Sequence, residues 1–515
     1  MIYRSNCLFG VDVLVDFGVK RAGCADYSMP DCELTMKNTR LDSSDGVVRA
    51  RRLHLRGGGG ASLGLSLGAC VVISAASTVL GQSGTPVPHQ FVVRVGSSAT
   101  IETIAAGIGA TIQRRDDVSR AYLVETGEAS NDDETEVELS GDGGVDGAER
   151  NRVILPPESH TQSFFLNVIE PDYVNQPALD LTGMRGAHSL SVGTGVVVAI
   201  LDTGVDSHPM FAGLLLAGYD AINETAGGGE QANMLDDDGD GLIDEAVGHG
   251  TLVAGVVHAA APGAMLLPVR VLNSDGVGTS FSVATGIRWA IANGAQVINL
   301  SLSTPIESGI MADAVREARA AGIVVVAAVG NGGVNEAAFP ADNGGVLGVA
   351  ATAPDDRLAA FSNFGTSVSL CAPGVGIVGT ATDGGYWSSN GTSLSAPLVA
   401  GAAALLRSYA PSAVLSDISG WLEDSATNID ALNPSMVGAM GSGRLDARVA
   451  LVLARRDSGC VADLDRDGQL NPDDLADYIS AFFAEPPLAE ADFNVDGVTN
   501  PDDLADYIVA FFEGC

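Results

Sequence analysis

An acid closes the apolar run Val198-Ala199-Ile200-Leu201-Asp202-Thr203-Gly204. An imidazole opens a stretch of small residues at His249-Gly250-Thr251. A hydroxyl stands at Gly391-Thr392-Ser393, before an alanine-rich helical pattern. Acyl transfer needs these three types together: a nucleophile, a base that takes its proton, and an acid that fixes the tautomer of the base. Serine oxygen is a poor nucleophile at neutral pH without that base, and the N-terminus of a helix adds positive potential around it. The remaining requirement is a donor for the developing oxyanion. Asn331, in Val329-Gly330-Asn331-Gly332-Gly333 after a further apolar run, offers an amide for it. Singly these residues have plainer readings: a turn aspartate, a structural histidine, a helix N-cap serine. Their order and flanks together point to a hydrolytic site.

The elements that must position them follow from periodicity. Apolar runs at Gly195 to Leu201, Leu267 to Leu272, Val297 to Leu302, Ile323 to Val329 and Val346 to Ala351 are bounded by Gly, Asp or Asn. Helical spacing separates several of them, at Thr251 to Ala260, Phe281 to Ala292 and Ile310 to Ala321. Continuous apolar strands alternating with helices predict an α/β fold, a parallel sheet covered by helices on both faces. Ligands and chemistry gather at the carboxyl ends of such strands, where Asp202 and Asn331 fall.

The pieces DTGVDSHP at 202–209, HGTLVAG at 249–255, INLSLS at 298–303, AAVGNGG at 327–333, FSNFG at 361–365 and NGTSLSAPLVAG at 390–401 resemble the subtilisin family of serine endopeptidases. That resemblance implies Ser393 as nucleophile, His249 as general base and acid, and Asp202 as its orienter. Asn331 and the Ser393 amide would form the oxyanion hole. Ser301, Leu302 and Ser303 resemble the strand that pairs with an extended protein or peptide substrate. Three positions depart from the family pattern. Leu252 replaces a usual histidine, Ser303-Thr304-Pro305 replaces a glycine pair, and Leu394 stands where methionine is common beside the nucleophile. The altered strand leaves open a narrow processing enzyme rather than a broad degrader.

Residues 1–82 read as a leader. Arg49, Arg51, Arg52 and Arg56 precede an apolar stretch from about Ala61 to Leu80, the order of an export signal. Arg51-Arg52 also fits a twin-arginine signal. Residues 83–155 form a small α+β unit: a strand at Gln90 to Val95, helical spacing from Ile101 to Ile112, a strand at Ala121 to Val124, and an acidic stretch from Glu128 to Gly147 that reads as an exposed linker. Its place before residues 156–455, the catalytic domain, resembles a propeptide that inhibits its own enzyme. A secreted or extracytoplasmic location follows, with surface anchoring as a variant.

Acidic loops suggest Ca2+. Asp236, Asp238, Asp240 and Asp244 set alternate carboxylates, with glycine at the turn, just ahead of His249, a pattern suited to a hard cation. In residues 460–515, the segment Asn471-Pro472-Asp473-Asp474-Leu475-Ala476-Asp477-Tyr478-Ile479 recurs as Asn500-Pro501-Asp502-Asp503-Leu504-Ala505-Asp506-Tyr507-Ile508. Each copy follows an EF-hand-like loop. The first offers Asp463, Asp465, Asp467, Gln469, Asn471 and Asp474, and the second Asp492, Asn494, Asp496, Val498, Asn500 and Asp503; Gln469 and Val498 stand at the place where the backbone carbonyl binds. The pair resembles a dockerin-type module, an EF-hand-like α unit, which implies a cohesin-like or surface partner. The helical spacing of Leu475, Ile479 and Phe482, and of Leu504, Ile508 and Phe511, reads as core. Cys460 and Cys515, each after a glycine, bracket this segment and are read as paired, leaving Cys371 a buried free thiol. The net charge of −37 excludes nucleic acid as a partner, since nothing would neutralise phosphates.

A thioether beside the nucleophile is a site of oxidation. With Leu394 there instead, the activity implied by the resemblance is expected to persist in mild peroxide. Rapid inactivation under those conditions, followed by peptide hydrolysis, would count against this.

Overall fold

The computed structural model describes residues 82–160, 165–457, 462–464, 469–484, 491–493 and 499–513. The leader, Cys460, Cys515, Asp465, Asp467, Asn494, Asp496 and Val498 lie outside them.

The N-terminal unit opens with β1 (Pro86–Val95), α1 (Ile101–Gly107), β2 (Thr111–Asp116) and β3 (Ala121–Glu125). The helical spacing expected to run to Ile112 stops at Gly107, because Gly109 takes a left-handed φ of 66° and turns the chain into β2. The acidic stretch is no linker. It forms α2 (Asp132–Gly141) and β4 (Val145–Ile154). Only Thr135 and Leu139 of α2 are buried, so packing contributes little to it. Its charges hold it instead. Asn131 accepts the Asp133 amide, and Asp132, Asp133 and Glu134 lie in the first turn, where the helix dipole favours negative charge. The guanidinium of Arg150 then gathers Asp132, Asp133 and Glu136 at 3.1, 2.7 and 3.2 Å.

The remainder is a three-layer α/β body. Its sheet takes β5 (Val197–Asp202), β6 (Tyr219–Asp220), β7 (Thr225–Ala226), β8 (Met265–Arg270), β10 (Val297–Leu300), β11 (Val324–Ala328), β12 (Leu347–Thr352) and β13 (Leu370–Pro373). The order is β13-β12-β11-β10-β5-β8-β6-β7, parallel throughout except for the edge strand β7. Alternation along β5 shows how the layers form. Val198 and Ile200 enter one core with α3 (His249–Ala260) and α6 (Thr392–Tyr409). Ala199 and Leu201 enter the other with α4 (Ser280–Ala292) and α5 (Gly309–Ala320). Each fully buried aliphatic side chain stabilises this body by roughly 1.5–3 kcal/mol. Cys371 on β13 is buried, as expected for a free thiol, and burial pushes its thiol up to about 12.

β4 joins the two parts. It pairs antiparallel with the short strand β9 (Gly278–Thr279), extending the N-terminal sheet onto the α/β body. Two acceptor side chains on β4 also cap helices across the junction. Glu149 accepts from Ser308 Oγ and from the Gly309 and Ile310 amides at the start of α5, at 2.7, 2.6 and 3.1 Å. Asn151 accepts from Ser280 Oγ and the Phe281 amide at the start of α4.

In the C-terminal region α7 (Pro472–Phe482) and α8 (Pro501–Glu513) are equivalent helices of the repeat. Tyr478 and Tyr507 stack with centroids 3.8 Å apart, and each hydroxyl donates across the pair, to Ala491 O and Ala462 O. Ile479 and Ile508, expected in the core, are 41% and 38% exposed, because the stacked tyrosines already fill the space between the helices.

Candidate active site

Asp202 is the last residue of β5 and is fully buried. An isolated carboxylate there would cost several kcal/mol in lost hydration. Its Oδ1 accepts from the Thr203 amide at 2.8 Å and from Nδ1 of His249 at 2.7 Å, which assigns the Nδ1–H tautomer and leaves Nε2 facing the cleft. His249 is the first residue of α3. The preceding Gly248 has φ of 96°, and a Cβ there would lie 2.4 Å from the Trp387 ring. Burial lowers the affinity of His249 for a proton, but the Asp202 charge and hydrogen bond outweigh it, with Glu158 adding to them. The imidazole is held well above its ordinary value.

Ser393 sits in the first turn of α6, where backbone N–H groups lack helical partners. Pro397 lies one turn further on and has no N–H to offer the Ser393 carbonyl. Ser301 Oγ donates to that carbonyl instead, at 2.8 Å, and itself accepts from Asn299 Nδ2 at 2.9 Å. The Asn331 amide is oriented by its oxygen, which accepts from the amide and the hydroxyl of Thr392 at 3.0 and 2.8 Å. Its Nδ2 therefore points toward Ser393.

A fifth side chain, not anticipated from the sequence, fills the space between these groups. Glu158, just beyond β4, is buried. Its Oε2 accepts the Ser393 hydroxyl at 2.5 Å and lies 3.4 Å from His249 Nε2, and its Oε1 accepts from Asn331 Nδ2 at 3.1 Å. A planar anion thus touches Ser393, His249 and Asn331 at once. Upstream, the Ser303 amide donates to Leu155 O at 2.9 Å, in an antiparallel bridge. Val153 to Leu155 is thereby held between β9 and Ser303 as an extended segment. Of the expected cleft strand, Ser303 makes the pairing, Ser301 supports Ser393, and Leu302 is buried in the core. β9 was missed; the glycines flanking Val277 were its one sequence signal.

The acidic loops divide. Asp236, Asp238 and Asp240 each bring one carboxylate oxygen to within 4.8 Å of the others, an all-oxygen set that fits a hard cation. Burial and neighbouring acids push Asp238 up, and burial, followed by the charges of Asp275, Asp240 and Asp238, pushes Glu245 up to about 7. Asp244 does not join them. Its carboxylate turns back to accept the Asn233 and Met234 amides at 2.9 and 3.0 Å. In the C-terminal repeat, Asn471 and Asp474 form a capping box on α7. Asp474 Oδ2 accepts the Asn471 amide at 2.9 Å, and Asp503 repeats this with Asn500 at 2.8 Å. Asp492 accepts from Arg448 at 2.6 Å, Asp463 is buried, and the Asn471 side chain reaches back to the Gln469 carbonyl.

Comparison with known proteins agrees with this geometry. The profile of the Subtilase family matches residues 193–443. Subtilisin BL from Lederbergia lenta is 37% identical over 267 residues, covering 50% of this chain and 91% of that protein. Alkaline elastase YaB from Bacillus sp. (strain YaB) is 37% identical over 267 residues, covering 50% of this chain and 65% of its own length. The fold also resembles the crystal structure of fervidolysin from Fervidobacterium pennivorans, with TM-score 0.57 and 24% identity over 72% of this chain and 63% of that one. The chain belongs to the subtilase family and is a serine peptidase, a hydrolase with subtilisin-like endopeptidase activity.

While Glu158 accepts the Ser393 proton, His249 cannot. Removing the carboxylate with Glu158→Ala is expected to raise the rate of fluorophosphonate labelling of the unprocessed chain by about 10-fold or more, the scale of lost charge-assisted hydrogen bonds. An unchanged rate, measured by intact mass, would show that the contact does not restrain Ser393.

Proposed function

We propose that Ser393, His249, Asp202 and Asn331 carry out peptide-bond hydrolysis in an exported enzyme, and that residues 83–155 with the following Pro156-Pro157-Glu158 are its inhibitory propeptide. The observation that supports this best is the Glu158 carboxylate lodged among Ser393, Asn331 and His249 behind an extended segment paired to β9 and Ser303. In this reading a substrate takes the course of Val153 to Leu155 once that segment leaves. Ser393 Oγ attacks the carbonyl carbon as His249 Nε2 takes its proton. Asp202 stabilises the imidazolium through Nδ1–H. Asn331 Nδ2 and the Ser393 amide donate to the oxyanion, where Glu158 Oε1 now stands. His249 then returns the proton to the leaving amine, and water attacks the acyl-enzyme through the same base.

Calcium belongs to the proposal in two places. Asp236, Asp238 and Asp240 would hold an ion in the segment leading to His249, stiffening it and offsetting their mutual repulsion. The repeat at 462–513 would form a second, dockerin-like calcium module that anchors the enzyme to a cohesin-like or surface partner. Buried Asp463, Asp474, Asp492 and Asp503 recur at equivalent places in its two copies, which supports a shared ligand role. No helix among the described residues is long and apolar enough to cross a membrane, and export rests on the leader sequence.

Two outcomes are expected. Ser393→Ala abolishes turnover and fluorophosphonate labelling while leaving the melting temperature within a few degrees, and Asn331→Ala lowers kcat about 100- to 1,000-fold. Wild-type chain, freed of residues 83–158, that takes no label would favour a binding protein with an idle triad. Excess EDTA lowers the melting temperature and calcium restores it. Asp238→Asn with Asp240→Asn removes part of that calcium response, read by calorimetric titration; an unaltered response excludes this loop as a binding site.

A further inference from the structure

Glu230 is the buried acid at this site that the mechanism does not use. It follows the edge strand β7, and its Oε1 is a common acceptor for both segments that carry the catalytic pair. The Thr203 hydroxyl, next to Asp202, donates to it at 3.2 Å. The amide and the hydroxyl of Thr251, two residues after His249, donate to it at 3.2 and 3.1 Å. Thr203 Oγ1 in turn accepts the Gly250 amide at 3.0 Å, and Thr251 Oγ1 accepts the Asp206 amide at 3.0 Å. The Glu230 amide donates to Asp206 Oδ1 at 3.1 Å and closes the ring. Glu230 Oε2 is out of contact with solvent although the residue as a whole is half-buried.

Why a glutamate is needed follows from the start of α3. A side-chain N-cap would serve the free first-turn amides, but the capping position is Gly248, which has none to offer. Thr203 therefore serves the Gly250 amide and Glu230 the Thr251 amide, both from outside the helix. Burial, partly offset by the Gly248 amide and reinforced by the Asp202 charge, pushes the Glu230 carboxyl up to about 7, so holding it here is unfavourable unless those contacts are worth keeping. We propose that Glu230 is a positioning residue for catalysis, fastening the turn after Asp202 to the first turn of α3 so that Asp202 Oδ1 and His249 Nδ1 stay in register. The 2.7 Å bond between them spans two elements and is sensitive to small displacements, and an error of about 1 Å in a catalytic group can lower a rate about 100-fold.

This inference rests on the peptidase reading and is tested beside it. Wild type, Glu230→Ala, Glu230→Gln and Thr203→Val, each expressed full-length and freed of residues 83–158 by cleavage, are compared on a peptide substrate, with active sites counted by fluorophosphonate titration. Glu230→Ala should lower kcat per site about 10-fold or more with KM within about 2-fold. Glu230→Gln, which keeps an oxygen acceptor, should restore most of the rate. Thr203→Val should lower kcat likewise, and the Glu230→Ala, Thr203→Val double variant should be no slower than the worse single variant. The downfield Nδ1 proton of His249 should remain sharp in wild type and Glu230→Gln and broaden in Glu230→Ala. A Glu230→Ala enzyme with wild-type kcat, or a Glu230→Gln enzyme as slow as Glu230→Ala, overturns the proposal. If Glu230→Ala yields no folded protein, Thr203→Val with wild-type kcat overturns it. If wild type freed of residues 83–158 neither labels nor turns over, the peptidase reading fails, and the Nδ1 proton comparison alone decides the role of Glu230.

Discussion

A fully buried carboxylate at the end of a buried strand is the constraint from which the rest of the site follows. Asp202 has no access to water, so its charge must be met by protein donors. One is the next amide in the chain; the other is an imidazole that has to come from elsewhere. That requirement places the start of α3 against the end of β5 and sets the tautomer of His249. The same pairing keeps the imidazole basic despite its own burial. The sheet is a scaffold for this contact. Its parallel order brings the carboxyl ends of β5, β10 and β11 to one edge, where Asp202, Ser301 and Asn331 emerge beside the start of α6.

Helix starts recur as the points where distant segments are tied together. The first turn of an α-helix leaves amides without partners, and here several are served from outside the helix. Thr203 and Glu230 serve α3. Asn331 Oδ1 accepts the Thr392 amide at α6, which also aims its own Nδ2 at Ser393. Glu149 and Asn151 serve α5 and α4 from the N-terminal unit. Docking that unit therefore satisfies donors on the body it covers and seats Glu158 in the same movement. Departure of β4 would return those amides to water, a modest loss for exposed helix ends. In the proposed reading, a propeptide held this way would be bound firmly and still be removable after cleavage.

Much of this was legible in the sequence because it depends on local pattern. Asp202, His249, Ser393 and Asn331 each sit where an apolar run or a helical pattern begins or ends, and the five anticipated strands and three helices form within a few residues of their expected limits. Contacts between segments far apart in sequence were not legible. Nothing in Pro156-Pro157-Glu158 shows that its carboxylate will meet Ser393, and nothing around Glu230 shows that it will cap a helix whose own N-cap is glycine. The acidic stretch from 128 to 147 was misread for a related reason. Its composition suggests solvation, but its fold depends on one cation, Arg150, drawn from the strand that follows.

Arg150 also shows how this chain handles its charge. With 27 lysines and arginines against 64 aspartates and glutamates, ion pairing alone cannot meet the acids. Several buried or half-buried arginines are placed where a carboxylate must be held: Arg150 with three acids, Arg270 with Asp220, Arg444 with Asp356, Arg448 with Asp492. Elsewhere backbone amides substitute, as at Asp244, Asp474, Asp503 and Glu149. Asp236, Asp238 and Asp240 are different. They accept amides of their own loop yet converge on one another, with no arginine or lysine paired to them among the described residues. Converging carboxylates repel, whereas the acids of α2 have the Arg150 guanidinium to offset them. A divalent cation is the partner that would restore the balance. Its position in the sequence, ahead of Gly248 and His249, would make the order of the His249 segment depend on it.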